Sequence, residues 1–495
     1  MIDLSGVGVD YGAILPEIVV VTTMIVVLIL ELIVPPTRRR WLAAVSVLGL
    51  LGALVATIPL WGQHREAFSG TVAGDSYAAF FNVILLGTAI ATVLISPRVL
   101  RAQALDYGEY YVLLLGATAG MLLLAAATSL MTIFLGIELL SIALYVMAGF
   151  ARRNLRSQEA AMKYLLLGGF ASGFLLYGMA LIYGATGSTT LRGIAQSVAG
   201  VGSLGPVTAS GASALLLIGV AFLAVGLAFK ASAAPFHMWT PDVYQGSPTV
   251  VTTFMSVATK AAAFAAVGRV FIATFPSIHA DWYVPLAGIA IFSLGIGNFV
   301  AITQTNLKRL LAYSGIAQAG YILLGILPGT QEGLSATLFY VAAYAVMNFG
   351  AFAVVTAVEA KEGEGGAELG AWTGLFYRRP LLAATMTVFM LSLAGIPPTV
   401  GFFAKLFVFR PLVEAGLWAP LGVAIVTTVI SFYYYLRVVV VMLTAPEEAA
   451  QPVRVPVTRT MGAVLLVAAL ATVVLGILPT VVFDWARAAA GLRFF

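Results

Sequence analysis

The sequence predicts an all-α polytopic membrane protein of about fourteen transmembrane helices, and three observations carry that prediction. The 495 residues are 61% hydrophobic and only 9% charged, well above the roughly 45–50% apolar content of soluble domains. Apolar runs of about 20 residues, the length that crosses a bilayer core, recur along the whole chain. The basic residues between these runs fall mostly on one side of the expected membrane.

Taken in order, the runs cover 13–34, 41–61, 76–96, 108–127, 129–150, 159–184, 212–238, 248–273, 284–304, 307–327, 333–358, 381–409, 417–443 and 461–483. Asp3 and Asp10 stand where a cleaved signal would carry bases, so the first run reads as a true span. With the N-terminus outside, inner loops hold fifteen basic residues: Arg38, Arg39, Arg40, Arg98, Arg101, Arg152, Arg153, Arg156, Lys308, Arg309, Lys361, Arg378, Arg379, Arg454 and Arg459. Outer segments hold only five, Arg65, Arg192, Arg410, Arg487 and Arg493. Such a bias sets orientation and places both termini on the outer side. Two hydrophilic stretches, Gly184 to Ser213 and the acidic, glycine-rich Lys361 to Gly370, read as an outer loop and a mobile inner loop. The chain stops soon after the last run, from Trp485 to Phe495, and no long amphipathic tail is expected.

Composition also excludes chemistry. There is no cysteine, hence no disulfide and no cysteine-ligated iron–sulfur cluster. The three histidines, His64, His237 and His279, lie too far apart to suggest a bis-histidine haem. No GxGxxG opens a helix after a strand, and no GxxxxGK[ST] occurs. The net charge of +5 is spread over short loops as a topology signal, so no nucleic-acid partner is expected.

The charges inside the runs are few. Lys163, Lys230, Lys260, Lys405, Arg269 and Arg437 remain once the loops are subtracted, so four of the six lysines are intramembrane against two of twenty arginines. A charge at the bilayer centre costs about 2.5–3.5 kcal/mol on insertion scales. Lysine can become neutral when desolvated and arginine cannot, so the titratable base is the one kept in the membrane. Arg269 and Arg437 lie near run ends and are expected to snorkel to the headgroups. Glu138 lies near the centre of the fifth run and needs a partner or a proton. Lysines of neighbouring helices, Lys230 above all, are the nearest candidates. Glu159 stands four residues before Lys163 and forms an (i, i+4) pair at a helix start. Ion pairs that merely fix helix packing would explain the same charges, and His237, beside Pro235, also fits a polar turn.

A short pattern recurs. Val225-Gly226 and Lys230 reappear as Val400-Gly401 and Lys405, 175 residues later, and the topology makes the two copies inverted. Proline and glycine interrupt both spans, at SAAPF after Lys230 and at GIPPTVG before Lys405, so helices 7 and 12 are expected to be broken at membrane depth. Broken helices in inverted repeats mark the site in many ion-coupled transporters. The chain then divides into helices 1–3 (residues 1–107), a first five-helix repeat (108–273), an inverted second repeat (284–443), and helix 14 with the C-terminus (461–495).

Several stretches carry a family resemblance: PFHMWTPDVYQGSPT from Pro235, LGIELLSIALYV around Glu138, EAAMKYLLLG from Glu159, NLKRLLAYSGIAQAGY from Asn306, AYAVMNFGAF from Ala343 and AGIPPTVGFFAKL from Ala394. Together they resemble the subunit N family of the proton-pumping NADH:quinone oxidoreductase, respiratory complex I, over essentially the whole chain. The resemblance implies a proton-translocating membrane-arm subunit of a bacterial plasma membrane, with membrane-arm neighbours such as subunits M and K, and lipids. NADH, FMN, iron–sulfur clusters and quinone would belong to partner subunits, with no cofactor or metal in this chain. It implies Glu138 and Lys230 as a carboxylate–lysine pair, Lys260 as the central lysine and Lys405 as the terminal lysine at the outer exit. Lys163 and Lys308 match further basic positions, and His237 is a less certain member. Gln318 stands where many relatives place a histidine. An Mrp-type sodium/proton antiporter subunit and the membrane subunit of a related hydrogenase complex share single motifs and remain alternatives.

Overall fold

The computed structural model describes residues 10–35, 39–200, 214–445 and 457–492. Asp3, Arg38, Arg454, Arg493 and residues 201–213 lie outside them, as does the side chain of Lys361. The chain opens with α1 (Leu15–Ile33) and α2 (Arg40–Thr57), followed by a small antiparallel hairpin, β1 (His64–Ala67) and β2 (Val72–Asp75), with His64 opposite Asp75. Next come α3 (Ser76–Ala102), α4 (Glu109–Ala126), α5 (Leu130–Ala148), α6 (Leu155–Thr186), α7 (Leu191–Val198), α8 (Ala214–Ala231), α9 (Trp239–Gly246) and α10 (Thr249–Val267). The second half holds α11 (His279–Ile302), α12 (Leu307–Ile326), α13 (Gln331–Glu362), α14 (Leu375–Arg378), α15 (Pro380–Ala394), α16 (Val400–Glu414), α17 (Trp418–Leu443), α18 (Arg459–Ile477) and α19 (Pro479–Ala489). Apart from the hairpin, the fold is the all-α polytopic one that composition predicts.

Among the described residues, 12 helices are long and apolar enough to cross a membrane. Two of the fourteen expected spans do not meet that description. The run 307–327 forms α12, whose 20 residues carry Lys308, Arg309, Ser314 and Gln318. The run 381–409 is divided between α15 and α16, each 15 residues long. The run 212–238 stops as a helix at Ala231. The 32-residue α6 and α13 would each extend about 48 Å at 1.5 Å per residue, beyond a hydrocarbon core of roughly 30 Å. Their first and last turns therefore stand clear of the core.

Packing radiates from α10, every residue of which is buried. It lies against α3, α4, α8 and α13, and its small residues Ala261, Ala262, Ala263, Ala265 and Ala266 let these neighbours approach closely. The outer helices present apolar faces instead: Leu135, Leu139 and Ile142 on α5, and Phe170 and Tyr177 on α6, are exposed.

Four expectations change. Arg269 does not snorkel, because it is 1% exposed in a π-helical turn, Gly268–Thr274, that continues α10. Its guanidinium grips Asp75 through two bonds of 3.0 and 2.9 Å, donates from Nε to the Ala125 carbonyl at 2.9 Å and lies over the Tyr77 ring at 4.8 Å. Three of its five N–H donors are thus taken by α4 and β2, and α3 supplies the ring beneath it. Arg437 likewise turns inward to cap α11, donating to the carbonyls of Ile302 at 3.0 Å and Gln304 at 3.3 Å. The stretch 361–370 holds short 3-10 turns, Asn306 Nδ2 donates to Glu368 Oε1 at 2.9 Å, and Trp372 is buried beside it. The outer stretch 184–213 contains α7, which buries Leu191, Ile194 and Val198.

Removing one partner of a buried ion pair strands the other, at about 3–5 kcal/mol, whereas replacing both with apolar groups is often neutral. Asp75→Ala is expected to lower subunit stability by that amount, and Asp75→Leu with Arg269→Met to recover most of it. Thermal midpoints of the purified protein in detergent check both.

Candidate functional site

The same backbone device breaks two helices. α8 ends at Ala231 and α15 at Ala394, and the next residues, Ser232 and Gly395, have φ of 62° and 90°. The amide of Ala233 then donates to the Ala228 carbonyl at 2.8 Å, and that of Ile396 to the Leu391 carbonyl at 3.0 Å. A left-handed residue followed by a bond to the carbonyl five residues back is a Schellman cap. Pro235 in one break, and Pro397 and Pro398 in the other, prevent the same helix from resuming. The chain restarts as α9 and α16.

A lysine sits at the carbonyl end of each break. Lys260, on α10, donates to Ser232 Oγ at 3.2 Å and to the Tyr244 hydroxyl at 3.1 Å. Lys405, on α16, donates to the Ala394 carbonyl at 2.8 Å and lies over the Tyr321 ring at 4.8 Å. They are 1% and 4% exposed, so neither reaches the surface. A helix C-terminus carries partial negative charge and free carbonyls, which is where an ammonium in apolar surroundings is stabilised. A serine in the left-handed region costs roughly 1–2 kcal/mol that a glycine does not. At Ser232 the hydroxyl supplies Lys260 with a partner. At Gly395 a Cβ would lie 3.0 Å from Lys405 Cδ, so the bare glycine lets the lysine lie against the backbone.

These caps give a different pairing from the glycine–lysine match. Lys230 precedes its break and Lys405 follows its own, so the element that corresponds to Lys405 at the cap is Lys260. Gly401 serves the crossing of α15 and α16, since a Cβ there would lie 1.8 Å from the Ser392 carbonyl oxygen.

Lys230 and Glu138 are near one another but make no direct ion pair. Lys230 donates to Ser141 Oγ at 2.6 Å, one turn along α5 from Glu138, and lies 5.5 Å from the centres of the Tyr145 and Tyr164 rings. Glu138 accepts from Ser172 on α6 and is only half-buried. It opens onto the exposed leucine face of α5.

The remaining basic positions gather around α9. Lys163 bonds Glu159 at 2.6 Å, as the (i, i+4) spacing predicts, and also Asp242 at 2.7 Å. Arg309 grips the other oxygen of Asp242 at 2.6 Å and Gln245 Oε1 at 3.0 Å. One carboxylate therefore ties α6, α9 and α12 together. Burial pushes the Asp242 carboxyl up, but the hydrogen bonds from Lys163 and Arg309 outweigh it and hold the group below its usual range. Lys308 is buried, donates to the Ser247 carbonyl at 2.9 Å and pairs with Glu359 at 3.7 Å. His237 is half-buried in the first break, bonds none of the lysines, and its Nδ1 has no partner among the described residues. Gln318 is buried between α15 and α17, donating to the Leu393 carbonyl at 3.2 Å and to the Tyr435 hydroxyl at 3.1 Å.

Four residues on which the cations depend, Asp242, Tyr244, Ser232 and Ser141, drew no attention in the sequence. All four are ordinary polar residues beside a turn or on a helix, and only the packing of α5, α9 and α10 around the break turns them toward lysines. Among the described residues no three His, Cys, Asp or Glu side chains are grouped to hold a metal ion.

The chain is similar to known proteins over most of its length. Residues 127–431 match the family model described as NADH:quinone oxidoreductase/Mrp antiporter, TM. The subunit N of NADH-quinone oxidoreductase from Trichlorobacter lovleyi is 44% identical, with 98% of each chain covered. A chain of respiratory complex I from Thermus thermophilus, solved with bound aureothin, superposes with a TM-score of 0.79 at 35% identity, covering 95% of this chain and 98% of that one. A chain of the Mrp complex from Dietzia sp. shares the fold, with a TM-score of 0.84 at 21% identity and 97% of each chain covered.

A carboxylate held below its unfolded value, near 3.9, stabilises the fold above that value and loses the contribution as pH falls through the folded one. Asp242→Asn is therefore expected to lower the thermal midpoint by a constant amount between about pH 8 and pH 5, and by a shrinking amount below about pH 4. Thermal melts of the two proteins across that range provide the check.

Proposed function

The chain belongs to the NADH:quinone oxidoreductase/Mrp antiporter family of membrane subunits, and on that premise we propose that protons cross it by way of the lysines at its two helix breaks. It is a multi-pass, antiporter-like membrane-arm subunit of an NADH-quinone oxidoreductase. We assign NADH, FMN, iron–sulfur clusters and quinone to other subunits, as the family resemblance implies; the absence of cysteine supports this for the iron–sulfur clusters alone. Subunits M and K are the proposed neighbours in the arm. We assign it to a bacterial plasma membrane with both termini outward, an orientation that the uneven spread of basic loops supports.

The observation that carries the proposal is the pair of titratable cations, Lys260 and Lys405, each lodged at a Schellman-capped helix end and each out of reach of the surface. Arginine, the permanent charge, is absent from both places. A proton taken from the inner side passes the α9 cluster of Lys163, Asp242 and Lys308, reaches Lys260 through water in the first break, moves along the midplane to Lys405, and leaves outward. Residues 108–273 and 284–443 act as the two half-channels.

Control is electrostatic. With Glu138 close, the protonated form of Lys230 is favoured; when they separate, a desolvated ammonium without its counter-charge gives up its proton. The half-buried Glu138 on a leucine face is poorly suited to lipid, and we assign that face to a neighbouring subunit. A displacement on the neighbour's side would then change the charge that Lys230 meets. His237, in the break but bonded to no lysine, is given a place beside the water path rather than in it.

Reconstituting the whole complex with Lys405→Ala is expected to leave it assembled and to lower the number of protons moved per NADH oxidised. Proton uptake and NADH oxidation recorded together in proteoliposomes give that ratio. A wild-type ratio would remove Lys405 from the path.

A further inference from the structure

We infer that the hydroxyl of Tyr435, held in place by Gln318, is the relay group between Lys260 and Lys405; this rests on the function proposed above. Lys260 Nζ lies against α12 at Gly315, 3.3 Å from where a Cβ on that glycine would stand. The preceding residue, Ser314, is bonded to the Tyr435 hydroxyl at 2.5 Å. Tyr435 is bonded in turn to Gln318, and Gln318 reaches the Leu393 carbonyl, next to the Ala394 carbonyl that holds Lys405. Ser314, Gln318 and Tyr435 are all 1% exposed or less, Tyr435 fully buried.

Hydrogen-bond chemistry fixes the direction of the bonds that Gln318 makes. A carbonyl only accepts, so the atom of Gln318 facing Leu393 is the amide nitrogen, which also donates to Tyr435. Its oxygen accepts from the Tyr340 hydroxyl at 2.6 Å. The phenol oxygen of Tyr435 has two acceptor positions and one hydrogen. The Gln318 amide fills one acceptor position, and with Ser314 as the donor of its bond, a direction that either oxygen allows, the Tyr435 hydrogen is left to donate onward through water.

The glutamine amide neither gains nor loses a proton at ordinary pH and donates and accepts on different atoms, whereas a hydroxyl oxygen does both. Gln318 is therefore a positioning residue and Tyr435 the relay. The step balances with water as the only further participant. Lys260 gives a proton through water to Ser314 Oγ, the serine proton passes to the Tyr435 oxygen, and the tyrosine proton passes through a second water to the neutral amine of Lys405. Lys260 ends neutral and Lys405 charged, and rotation of both hydroxyls restores the starting orientation.

The test uses the assembled complex in proteoliposomes, with the loss of proton movement in Lys260→Ala defining this subunit's share. Tyr435→Phe is expected to slow that share by about tenfold or more, the scale of a lost proton-transfer group. Gln318→His combined with Tyr435→Phe is expected to regain it, because an imidazole at that position carries a proton itself. A merely structural tyrosine would not be rescued in this way. Should Tyr435→Phe fail to assemble, Ser314→Ala breaks the same chain with a smaller change and is expected to slow proton movement likewise. Wild-type rates in Tyr435→Phe or Ser314→Ala, or an assembled double variant that stays slow, would overturn the relay. If Lys260→Ala itself moves protons normally, the proposed path fails instead, so the two failures are distinguishable.

Discussion

Everything in this subunit depends on how a lysine ammonium can be kept inside an apolar bundle without a permanent counter-charge. The solution is the interrupted helix. Ending α8 at Ala231 and α15 at Ala394 leaves carbonyls without intrahelical donors at membrane depth, and the helix ends carry partial negative charge. Lys260 and Lys405 are placed there. A full carboxylate at the same distance would hold the proton more firmly, whereas a helix end and a hydroxyl stabilise the charge and still permit its release.

Arg269 shows the contrasting case in the same helix. Nine residues beyond Lys260, it has a bidentate carboxylate, a carbonyl and an aromatic face. The pair joins the β-hairpin and α3 to the fully buried α10. The permanent charge anchors the helix that carries the releasable one. Asp242 plays a similar part at the other end, where it joins α6, α9 and α12 through Lys163 and Arg309.

The fold and part of the site were legible in the sequence, for different reasons. Apolar runs of bilayer length and the uneven placement of arginine are dictated by lipid, so twelve of the fourteen expected spans match long apolar helices. Proline and glycine beside Lys230 and Lys405 marked the breaks, because those residues act on the backbone locally. What could not be read is whatever depends on neighbours far along the chain. The glycine–lysine match set Lys230 against Lys405, but the caps at Ser232 and Gly395 set Lys260 against Lys405, and no local pattern distinguishes the two. Arg269 looked like a snorkelling residue because its partner, Asp75, lies 194 residues away. Residues 361–370 looked like a linker by composition, and their 3-10 turns are held by Asn306 and a buried Trp372.

The central claim is that Lys260 must be able to lose its charge as well as bear it. Lys260→Arg tests that most directly, since the guanidinium keeps the charge and cannot release a proton. In proteoliposomes the account predicts an assembled complex that oxidises NADH while moving fewer protons for each one oxidised. An assembled Lys260→Arg complex with the wild-type ratio would contradict it.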